Sequence, residues 1–514
     1  MSGYLRRLAT TGAAYTAASI FSKLIAVALL PLYTRYLTPA DYGAAEVMFA
    51  AVVSASIVVR LGTIEALLRF YYKDDEDPDR VVATSFAALF WVSTVAALIA
   101  LPFADPISEA LLAGHSAPDL ARISIGGIWV LTMFEFLLTL FRLEERARAY
   151  FVTTMLSVLA AIGLTVVLVV GKGEGARGLL LGSYASGAVF VFGLIWVHRR
   201  RLSLWVDREL LRRLMRFGLP TMPAELSLYL LNFVDRIIIV RSAGLAEAGL
   251  YSLAVKFAQA VNVLVRGFQL AWPPLAYSIR DDGEARRAYA VIVTWFVAGC
   301  AFVVTGMWLL SRWIVRALAA PEFFGSYKAV GLIATGVTLY ALYMVLVVIL
   351  GRTGRTGFNF PAAIAALVVN VALNLALVPP LGIVGAGIAL VASYLVVLAL
   401  MYGFTQRLFP VPYEWGRLAR VVLVSAVLVG AGELLMPTSG FAGLLGRGAL
   451  CAAYPLVLLA SGFFTPGERR WLARLRHPGQ VASGLAEMWR EAGAGKGSIP
   501  EAYEVELQDE DTRL

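Results

Sequence analysis

Long apolar runs, separated by short polar turns, follow one another along most of this chain. An α-helix needs about 20 mostly apolar residues to cross the hydrocarbon core of a bilayer. Read with that length, the pattern predicts fourteen membrane-spanning helices in an all-α integral membrane protein. They are predicted near residues 10–34, 43–68, 82–104, 121–141, 149–170, 179–197, 217–240, 248–275, 288–311, 328–350, 360–378, 383–405, 418–436 and 443–464.

Composition supports this interpretation. Hydrophobic residues make up 59% of the 514 residues, charged residues only 15%, and the mean hydropathy is +0.75. A soluble globular protein carries about 25% charged residues, so this chain cannot cover a water-facing surface. The composition excludes a soluble enzyme, a secreted disulfide scaffold and a disordered chain.

The formal net charge is +9, and the Lys and Arg residues that produce it lie mostly in the loops. When the N-terminus is placed inside, most of these residues fall on the cytoplasmic side, as they do in membrane proteins generally. The distribution predicts a multi-pass protein of the cytoplasmic (inner) membrane with both termini in the cytoplasm. It gives no reason to expect a nucleic-acid partner.

The segments are predicted to form two lobes of six helices followed by two further helices. The boundaries are 1–197 for the first lobe, 198–216 for a basic cytoplasmic linker, 217–405 for the second lobe, 406–464 for the last two helices and 465–514 for a cytoplasmic tail. The tail is predicted to be amphipathic at its start and disordered at its end.

An internal repeat supports the division into lobes. At an offset of 206, Gly43 aligns with Gly249 and Arg60 aligns with Arg266, and Gly12, Arg35 and Asp41 also meet identical or similar residues. Because six is an even number, the two lobes would share one topology and be related by an axis along the membrane normal. Transporters use such parallel repeats as two lobes that rock about a central site.

Charged residues at membrane depth concentrate on the first, second, seventh and eighth predicted helices. Burying a charge there costs at least about 2.5 kcal/mol, so such residues face a bundle interior or a cavity. Four cations are predicted to line one substrate-binding cavity, namely Lys23, Arg60, Lys256 and Arg266. Arg and Lys suit phosphate groups, and the cavity is therefore expected to bind an anion. In the alternative interpretation these charges pair only for packing, for example Arg60 with Glu65.

Several motifs resemble the polysaccharide (O-antigen/Wzx-type) flippases of the multidrug/oligosaccharidyl-lipid/polysaccharide exporter superfamily. Residues 30–39 read LPLYTRYLTP and are followed by Asp41-Tyr42-Gly43. A second group begins with Phe217-Gly218-Leu219-Pro220, and a third includes Asn370, Asn374 and Pro379. The resemblance covers about the first 410 residues.

The resemblance implies a function. Members of this family flip polyprenyl-pyrophosphate-linked oligosaccharides to the outer leaflet, by alternating access and without covalent chemistry. Related lipid II flippases use cations on the first, second and eighth helices, which match Lys23, Arg60 and Arg266 here, and bind the lipid tail along the last two helices. The expected partners are therefore a polyprenyl-pyrophosphate-linked glycan and the bilayer, with a glycan polymerase and glycosyltransferases as further candidates.

A second candidate site concerns ion coupling, because a transporter needs a ligand that distinguishes its two states. Asp235 is predicted to lie one helical turn from Asn232, and Asn370 and Asn374 lie on one face of the eleventh helix. One carboxylate with amide oxygens suits a hard cation such as Na⁺, and a buried carboxylate can instead carry H⁺. The lipid II flippases have a sodium site that these residues resemble. In the alternative interpretation Asp235 pairs with Arg236 or Arg266. No organic cofactor and no structural metal are expected.

Two other functions compete with the flippase. A drug/cation antiporter of the same superfamily would have an anionic cavity, which conflicts with the four predicted central cations. A lipid II flippase would use the same mechanism as the oligosaccharide flippase, with a different lipid-linked substrate. An integral-membrane enzyme would need a sizeable loop with acid/base residues, which the sequence lacks. The chain is therefore predicted to be a transporter and not an enzyme.

Overall fold

The computed structural model describes residues 28–72, 77–465 and 468, and in these parts the chain forms eighteen α-helices and no β-strand. In chain order the helices are α1 (Leu30–Tyr36), α2 (Pro39–Arg60), α3 (Thr63–Phe70), α4 (Pro78–Ala100), α5 (Ala104–Leu111), α6 (Pro118–Leu143), α7 (Ala147–Val166), α8 (Gly175–His198), α9 (Arg208–Gly218), α10 (Met222–Ala243), α11 (Leu245–Ala258), α12 (Val261–Ser278), α13 (Asp282–Leu318), α14 (Tyr327–Arg352), α15 (Asn359–Leu381), α16 (Ile383–Leu408), α17 (Trp415–Leu435) and α18 (Gly440–Ala460). Below, α1–α8 are called the first half and α10–α16 the second half.

Eleven helical segments in the described part of the chain are long and apolar enough to cross a membrane. The prediction of an all-helical, multi-pass membrane protein is therefore confirmed. The predicted first, seventh and eighth segments are not among the eleven. Most of the first lies outside the described residues, the seventh is the charged helix α10, and the eighth is divided between α11 and α12.

The chain divides into two compact units, Met1–Ala452 and Ala453–Leu514. The described part of the second unit continues α18 to Ala460. The predicted amphipathic and disordered tail lies outside the described residues, except for its first residue and Glu468.

Helix α2 is defined by strong signals at both ends. Thr38 and Asp41 form a capping box in which each side chain satisfies the backbone N–H of the other residue, and Pro39 occupies the first turn. The helix ends where Leu61 and Gly62 adopt left-handed conformations, with φ of 50° and 68°. This break separates α2 from α3 within one predicted span, and it places Arg60 at the end of a helix.

The predicted eighth span is also interrupted. Helix α11 ends at Ala258, Gln259 and Ala260 form a turn, and α12 starts at Val261. Broken helices at membrane depth are tolerated where they line a cavity, because their backbone groups need polar partners. The break therefore marks the region of the candidate site.

Two glycines bring the first and second halves into backbone contact. Gly43 on α2 packs against Gly249 on α11, and a Cβ atom on Gly249 would overlap the carbonyl oxygen of Pro39. Small residues at membrane helix interfaces allow such close approach. This contact between Gly43 and Gly249 is the pair that the sequence offset of 206 aligns.

A second glycine pair joins the other end of α2 to α9. Gly62 follows α2, and Gly218 is the last residue of α9, with three residues between it and α10. A Cβ atom on either glycine would overlap the backbone carbonyl oxygen of the other. Gly62 also adopts a left-handed φ of 68°. A side chain there would therefore both overlap Gly218 and strain the backbone.

The basic linker is attached to the first half. Arg201 binds Asp79 and Glu144 at 2.5 Å each, and the indole of Trp91 donates to the Leu204 carbonyl at 3.0 Å. Helix α9 buries Leu210 and other leucines in a cluster with α3, α4 and α6. The linker therefore packs against the first half.

We predict that Gly249→Ala destabilises the protein, because the added Cβ meets the backbone of α2, which cannot move aside as a flexible side chain can. A cost of about 1–3 kcal/mol is typical of overpacking, so the melting temperature of the detergent-purified protein should fall. The matched control is Gly163→Ala on α7, where a Cβ atom has no neighbour within 4 Å. That variant should keep or raise the melting temperature, since Ala favours a helix. Equal behaviour of the two variants would contradict the close helix contact.

Candidate functional site

A polar cavity of about 510 Å³ lies between the two halves. Helices α2 and α6 line it from the first half, and α10, α11, α12, α14 and α16 line it from the second. Its polar lining residues are Arg60, Glu135, Glu225, Tyr229, Arg236, Tyr251, Gln259, Asn262, Arg266, Tyr340 and Tyr394. Gln259 and Asn262 come from the turn between α11 and α12 and the first turn that follows it.

Arg60 is held by two carboxylates in this cavity. Its Nη1 donates to Glu135 at 2.5 Å and its Nη2 donates to Glu225 at 2.8 Å. Arg60 is 12% exposed, whereas the glutamates are 38% and 41% exposed and face the cavity. With both carboxylates ionised, the three groups carry one net negative charge. The alternative pairing of Arg60 with Glu65 is not the one observed.

Arg266 differs from Arg60 in its surroundings. It lines the same cavity, its side chain is exposed, and it forms no ion pair or hydrogen bond with any residue that the structure describes. A third arginine, Arg236, also lines the cavity, and its Nε donates to the Ser252 hydroxyl at 3.2 Å. The cavity thus presents three arginines and two glutamates, with Arg266 the cation most available to a ligand.

The other two predicted cavity cations are not found there. Lys256 binds Glu46 on α2 at 2.5 Å and lies over the ring of Tyr42, so it does not line this cavity. The physical reason is the close contact between α2 and α11, which brings a carboxylate within reach of the lysine. Lys23 lies outside the described residues. Of the four cations, the structure therefore brings Arg60 and Arg266 to one cavity.

Three of the four predicted ion-coupling residues, Asp235, Asn370 and Asn374, form a buried cluster beside the cavity. Asp235 is fully buried and accepts hydrogen bonds from Tyr251 at 2.9 Å and from the Asn374 amide at 2.7 Å. The same Asn374 amide group also donates to the carbonyl of Asn370 at 2.9 Å. The side chain of Asn232 lies outside the described part of the structure.

Two oxygen atoms in this cluster lack partners. Asn370 and Asn374 are both fully buried, and their side-chain oxygens have no hydrogen-bond partner among the described residues. Buried polar atoms are usually satisfied, so such atoms point to a ligand or a water molecule. Together with the Asp235 carboxylate they form an oxygen-rich set, the chemistry that hard cations prefer.

A separate apolar groove runs along the outside of the second half. Two cavities of about 480 and 570 Å³ share Val297, Leu339, Leu342 and Val422 in their walls. The groove lies between α13, α14 and α17, and in its first part α16 adds Leu395 and Leu398. Its lining is almost entirely hydrophobic, unlike that of the polar cavity.

Some features of the site were missed at the sequence level. Glu135 and Glu225 could be recognised as intramembrane charges, but nothing in the sequence paired them with Arg60. Tyr251, which binds Asp235 and lines the cavity, was not among the candidate site residues of the sequence analysis. In the alternative interpretation Arg236 was a partner of Asp235, and its contact with Ser252 follows from the packing of α10 against α11.

Comparison with known proteins identifies the family. A sequence model of the family described as "Polysaccharide biosynthesis protein" matches residues 8–280, which is more than half of the chain. The succinoglycan biosynthesis transport protein ExoT of Rhizobium meliloti (strain 1021) is 25% identical over 316 residues. That match covers 59% of this chain and 61% of the relative, so this chain spans less than two thirds of the relative's length.

Solved structures share the fold at low sequence identity. The lipid II flippase MurJ in an inward closed conformation has a TM-score of 0.71 and 14% identity, with 87% of this chain and 97% of that chain covered. A multidrug resistance MATE family transporter of the MOP superfamily, in an inward-facing conformation, has a TM-score of 0.62 and 18% identity over 75% of this chain and 95% of that chain. The predicted family is thus confirmed: the chain shares the fold of these solved structures and belongs to the polysaccharide biosynthesis protein family.

Proposed function

We propose that this protein is a flippase that moves a polyprenyl-pyrophosphate-linked oligosaccharide across the cytoplasmic membrane for cell-surface polysaccharide biosynthesis. The observation that carries the proposal is Arg266, an exposed arginine without an ion pair among the described residues, in a polar cavity between two halves of a transporter fold. An arginine in that setting is an anion-binding group, because its guanidinium donates charge-assisted hydrogen bonds to phosphate oxygens.

The rest of the cavity suits a glycan. Tyr229, Tyr340 and Tyr394 supply aromatic faces and hydroxyl groups, and Gln259 and Asn262 supply amides. Each of the two glutamates uses one oxygen for Arg60, which leaves the other oxygen able to accept hydrogen bonds from sugar hydroxyl groups. We propose that Arg266, with Arg60 and Arg236, receives the diphosphate while these polar groups contact the sugars.

The hydrophobic tail would remain outside this cavity. The groove between α13, α14 and α17 is apolar, and a polyprenyl chain buries well against such a surface. The polar headgroup would then cross through the arginine-containing cavity without entering hydrocarbon, where unpaired charges are costly.

We also propose the full topology that the sequence predicts. It has fourteen membrane-spanning helices, with two six-helix lobes related by a parallel repeat, two further helices, and both termini in the cytoplasm. The contact between Gly43 and Gly249 supports the repeat, because a twofold axis brings equivalent residues of the two lobes together on the axis itself. The boundaries between lobes, linker and last helices are those given by the sequence.

A drug/cation antiporter remains the competing function for one specific reason. Glu135 and Glu225 face the cavity with partly exposed carboxylates, and such groups attract cations. Both are engaged by Arg60, however, and three arginines outnumber two glutamates in the lining. The charge of the cavity therefore favours an anionic substrate.

The test of this function is translocation in liposomes by the purified protein, with lipid-linked oligosaccharide from the producing cells as substrate. We predict that Arg266→Ala lowers headgroup translocation about tenfold or more, since a charge-assisted hydrogen bond contributes about 1.5–3 kcal/mol. Arg266→Lys should recover only part of the rate, because the bidentate fork is lost.

The matched control is Arg122→Ala, which removes the same charge from an exposed pair with Asp119 outside the cavity. It should transport at the normal rate. Normal transport by Arg266→Ala, or transport of a cationic drug by the wild-type protein in place of the glycolipid, would contradict the proposed function.

We further propose that Asp235, Asn370 and Asn374 hold a coupling cation, with Na⁺ as the first candidate and H⁺ on the Asp235 carboxylate as the alternative. The support is chemical, namely one buried carboxylate beside two unpartnered amide oxygens. If Na⁺ binds there, these residues provide oxygen ligands and link α10 to α15. A ligand that binds one transport state better than the other would shift the equilibrium between them.

We predict that Asp235→Asn removes the cation response. NaCl, compared with choline chloride at equal ionic strength, should raise the melting temperature of the wild-type protein but not that of this variant, because a bound ligand stabilises the folded state. The control is Asp119→Asn, which neutralises an exposed carboxylate. If Asp235→Asn keeps the same responses to Na⁺ and to pH as the wild type, Asp235 is structural and the coupling group must be sought at Glu65, Glu135 or Glu225.

The proposed orientation predicts which loops face each side. A cysteine at Thr438 should react with an impermeant thiol reagent added to intact cells, whereas a cysteine at Ser203 should react only after permeabilisation. Both positions are exposed, and replacing Cys300 and Cys451 with alanine removes the native thiols. The opposite labelling pattern would reverse the orientation.

A further inference from the structure

The apolar groove on the outside of the second half ends at a cluster of charged side chains. Along α13, Val297 and Trp308 line the groove, and Arg312 lies on the same helical face one turn beyond Trp308. Along α17, Gly430 lines the groove, and Glu433 follows it three residues later. Arg312 donates to Glu433 at 3.3 Å, so an ion pair closes this end of the groove.

A second arginine of the cluster is fully buried. Arg447 on α18 is 0% exposed, and it donates from Nη1 to Glu433 at 2.5 Å and from Nε to the Pro437 carbonyl at 3.3 Å. Its guanidinium lies over the ring of Trp313, 5.5 Å from the centroid. Its Nη2 has no hydrogen-bond partner among the described residues. Because buried polar atoms are usually satisfied, this donor points to an acceptor that the protein does not supply.

The cluster carries an excess of positive charge. Arg312 and Arg447 share the single carboxylate of Glu433, which is 38% exposed. Arg316, one turn beyond Arg312, is exposed, lies 5.9 Å from the ring of Phe324, and forms no ion pair or hydrogen bond with a described residue. Three arginines against one glutamate leave two positive charges unbalanced.

The cluster lies at the depth of a lipid headgroup. Val293, near the opposite end of the groove, is 19 residues from Arg312 along α13, which is about 28 Å along a helix axis. The hydrocarbon core of a bilayer is about 30 Å thick. A lipid whose hydrocarbon chain follows the groove therefore brings its phosphate groups to the arginines.

We propose that Arg312, Arg316 and Arg447 form a binding site for the diphosphate of the lipid-linked glycan after it has crossed the membrane, while its tail lies in the groove. This assignment rests on the proposed function, and the cluster lies at the outer face in the proposed topology. The charge selects the occupant. A diphosphate that joins a lipid to a sugar carries two negative charges, which match the two unbalanced positive charges. Phosphatidylglycerol carries one negative charge, and cardiolipin carries two but has four hydrocarbon chains.

The site is tested by binding of a polyprenyl-diphospho-monosaccharide, radiolabelled in its sugar, to the purified full-length protein in detergent. Every variant also carries Arg266→Ala, which weakens binding in the polar cavity. We expect Arg312→Ala with Arg316→Ala to lower the affinity about tenfold or more, because charge-assisted hydrogen bonds to the diphosphate are lost. Glu433 keeps Arg447 as its partner in this variant, so the link between α17 and α18 is retained.

The matched control is Arg122→Ala with Arg177→Ala in the same background. It also removes two arginines at the outer face of the proposed topology, from exposed ion pairs outside the groove. Its affinity for the probe should equal that of the parent. Equal affinities of the control and of the Arg312→Ala, Arg316→Ala variant would overturn the site.

A second form of the probe carries a photoreactive group beside the diphosphate and locates the site. Its crosslinks should fall within residues 308–316 or 433–447, and crosslinks only to other segments would contradict the proposal. Competition identifies the occupant. Phosphatidylglycerol and cardiolipin should need at least about tenfold higher concentrations than the unlabelled probe to displace it. Equal displacement by either phospholipid would make the cluster a general phospholipid site and overturn the assignment.

These outcomes are separate from those of the proposed function. If the wild-type protein binds the probe as described but does not move the glycolipid across liposome membranes, the binding site stands and the flippase assignment falls. If translocation proceeds and probe binding does not depend on Arg312 and Arg316, the flippase assignment stands and this site falls.

Discussion

The free-energy cost of placing a charged side chain inside a bilayer organises the centre of this protein. Ion pairs offset that cost: Arg60 pairs with Glu135 and Glu225, and Lys256 pairs with Glu46. Glu225 and Lys256 belong to the second half, so these pairs also determine how the two halves approach each other. The polar cavity lies where the helices that carry these charges meet, and the apolar helices surround it.

The sequence was sufficient for eleven of the fourteen predicted membrane-spanning segments, but it did not identify the partner of each charge. Hydrophobic runs predict where helices lie because their length is set by the bilayer. The partners of Arg60 are 75 and 165 residues away, at separations that helical periodicity does not constrain. The alternative interpretation paired Arg60 with Glu65, five positions along the chain, but the left-handed break at Leu61 and Gly62 starts a new helix between them.

In both candidate sites, the sequence predicted which residues share a helix face but not which side chains contact each other across helices. Asn370 and Asn374 were expected on one helical face, and both are buried there beside Asp235, because a spacing of four residues fixes a common face. Lys256 was expected in the cavity, but depth in the membrane does not say which neighbour a side chain faces. The offset of 206 aligned Gly43 with Gly249. That the two glycines touch required the three-dimensional arrangement of α2 and α11.

The polar cavity and the apolar groove are separate surfaces, and this separation indicates the kind of ligand that could bind both. The cavity holds arginines, glutamates, tyrosines and amides, whereas the groove on the outside of α13, α14 and α17 holds mostly aliphatic and aromatic side chains. A ligand with a charged head and a hydrocarbon tail matches both surfaces at once, and a soluble ion or a purely apolar drug would match only one. For the proposed lipid-linked substrate, the tail would gain nothing by leaving lipid, so only the headgroup would need a path across the membrane. The polar cavity suits that proposed task, because Arg60 is paired with Glu135 and Glu225 while Arg266 is available to a charged headgroup.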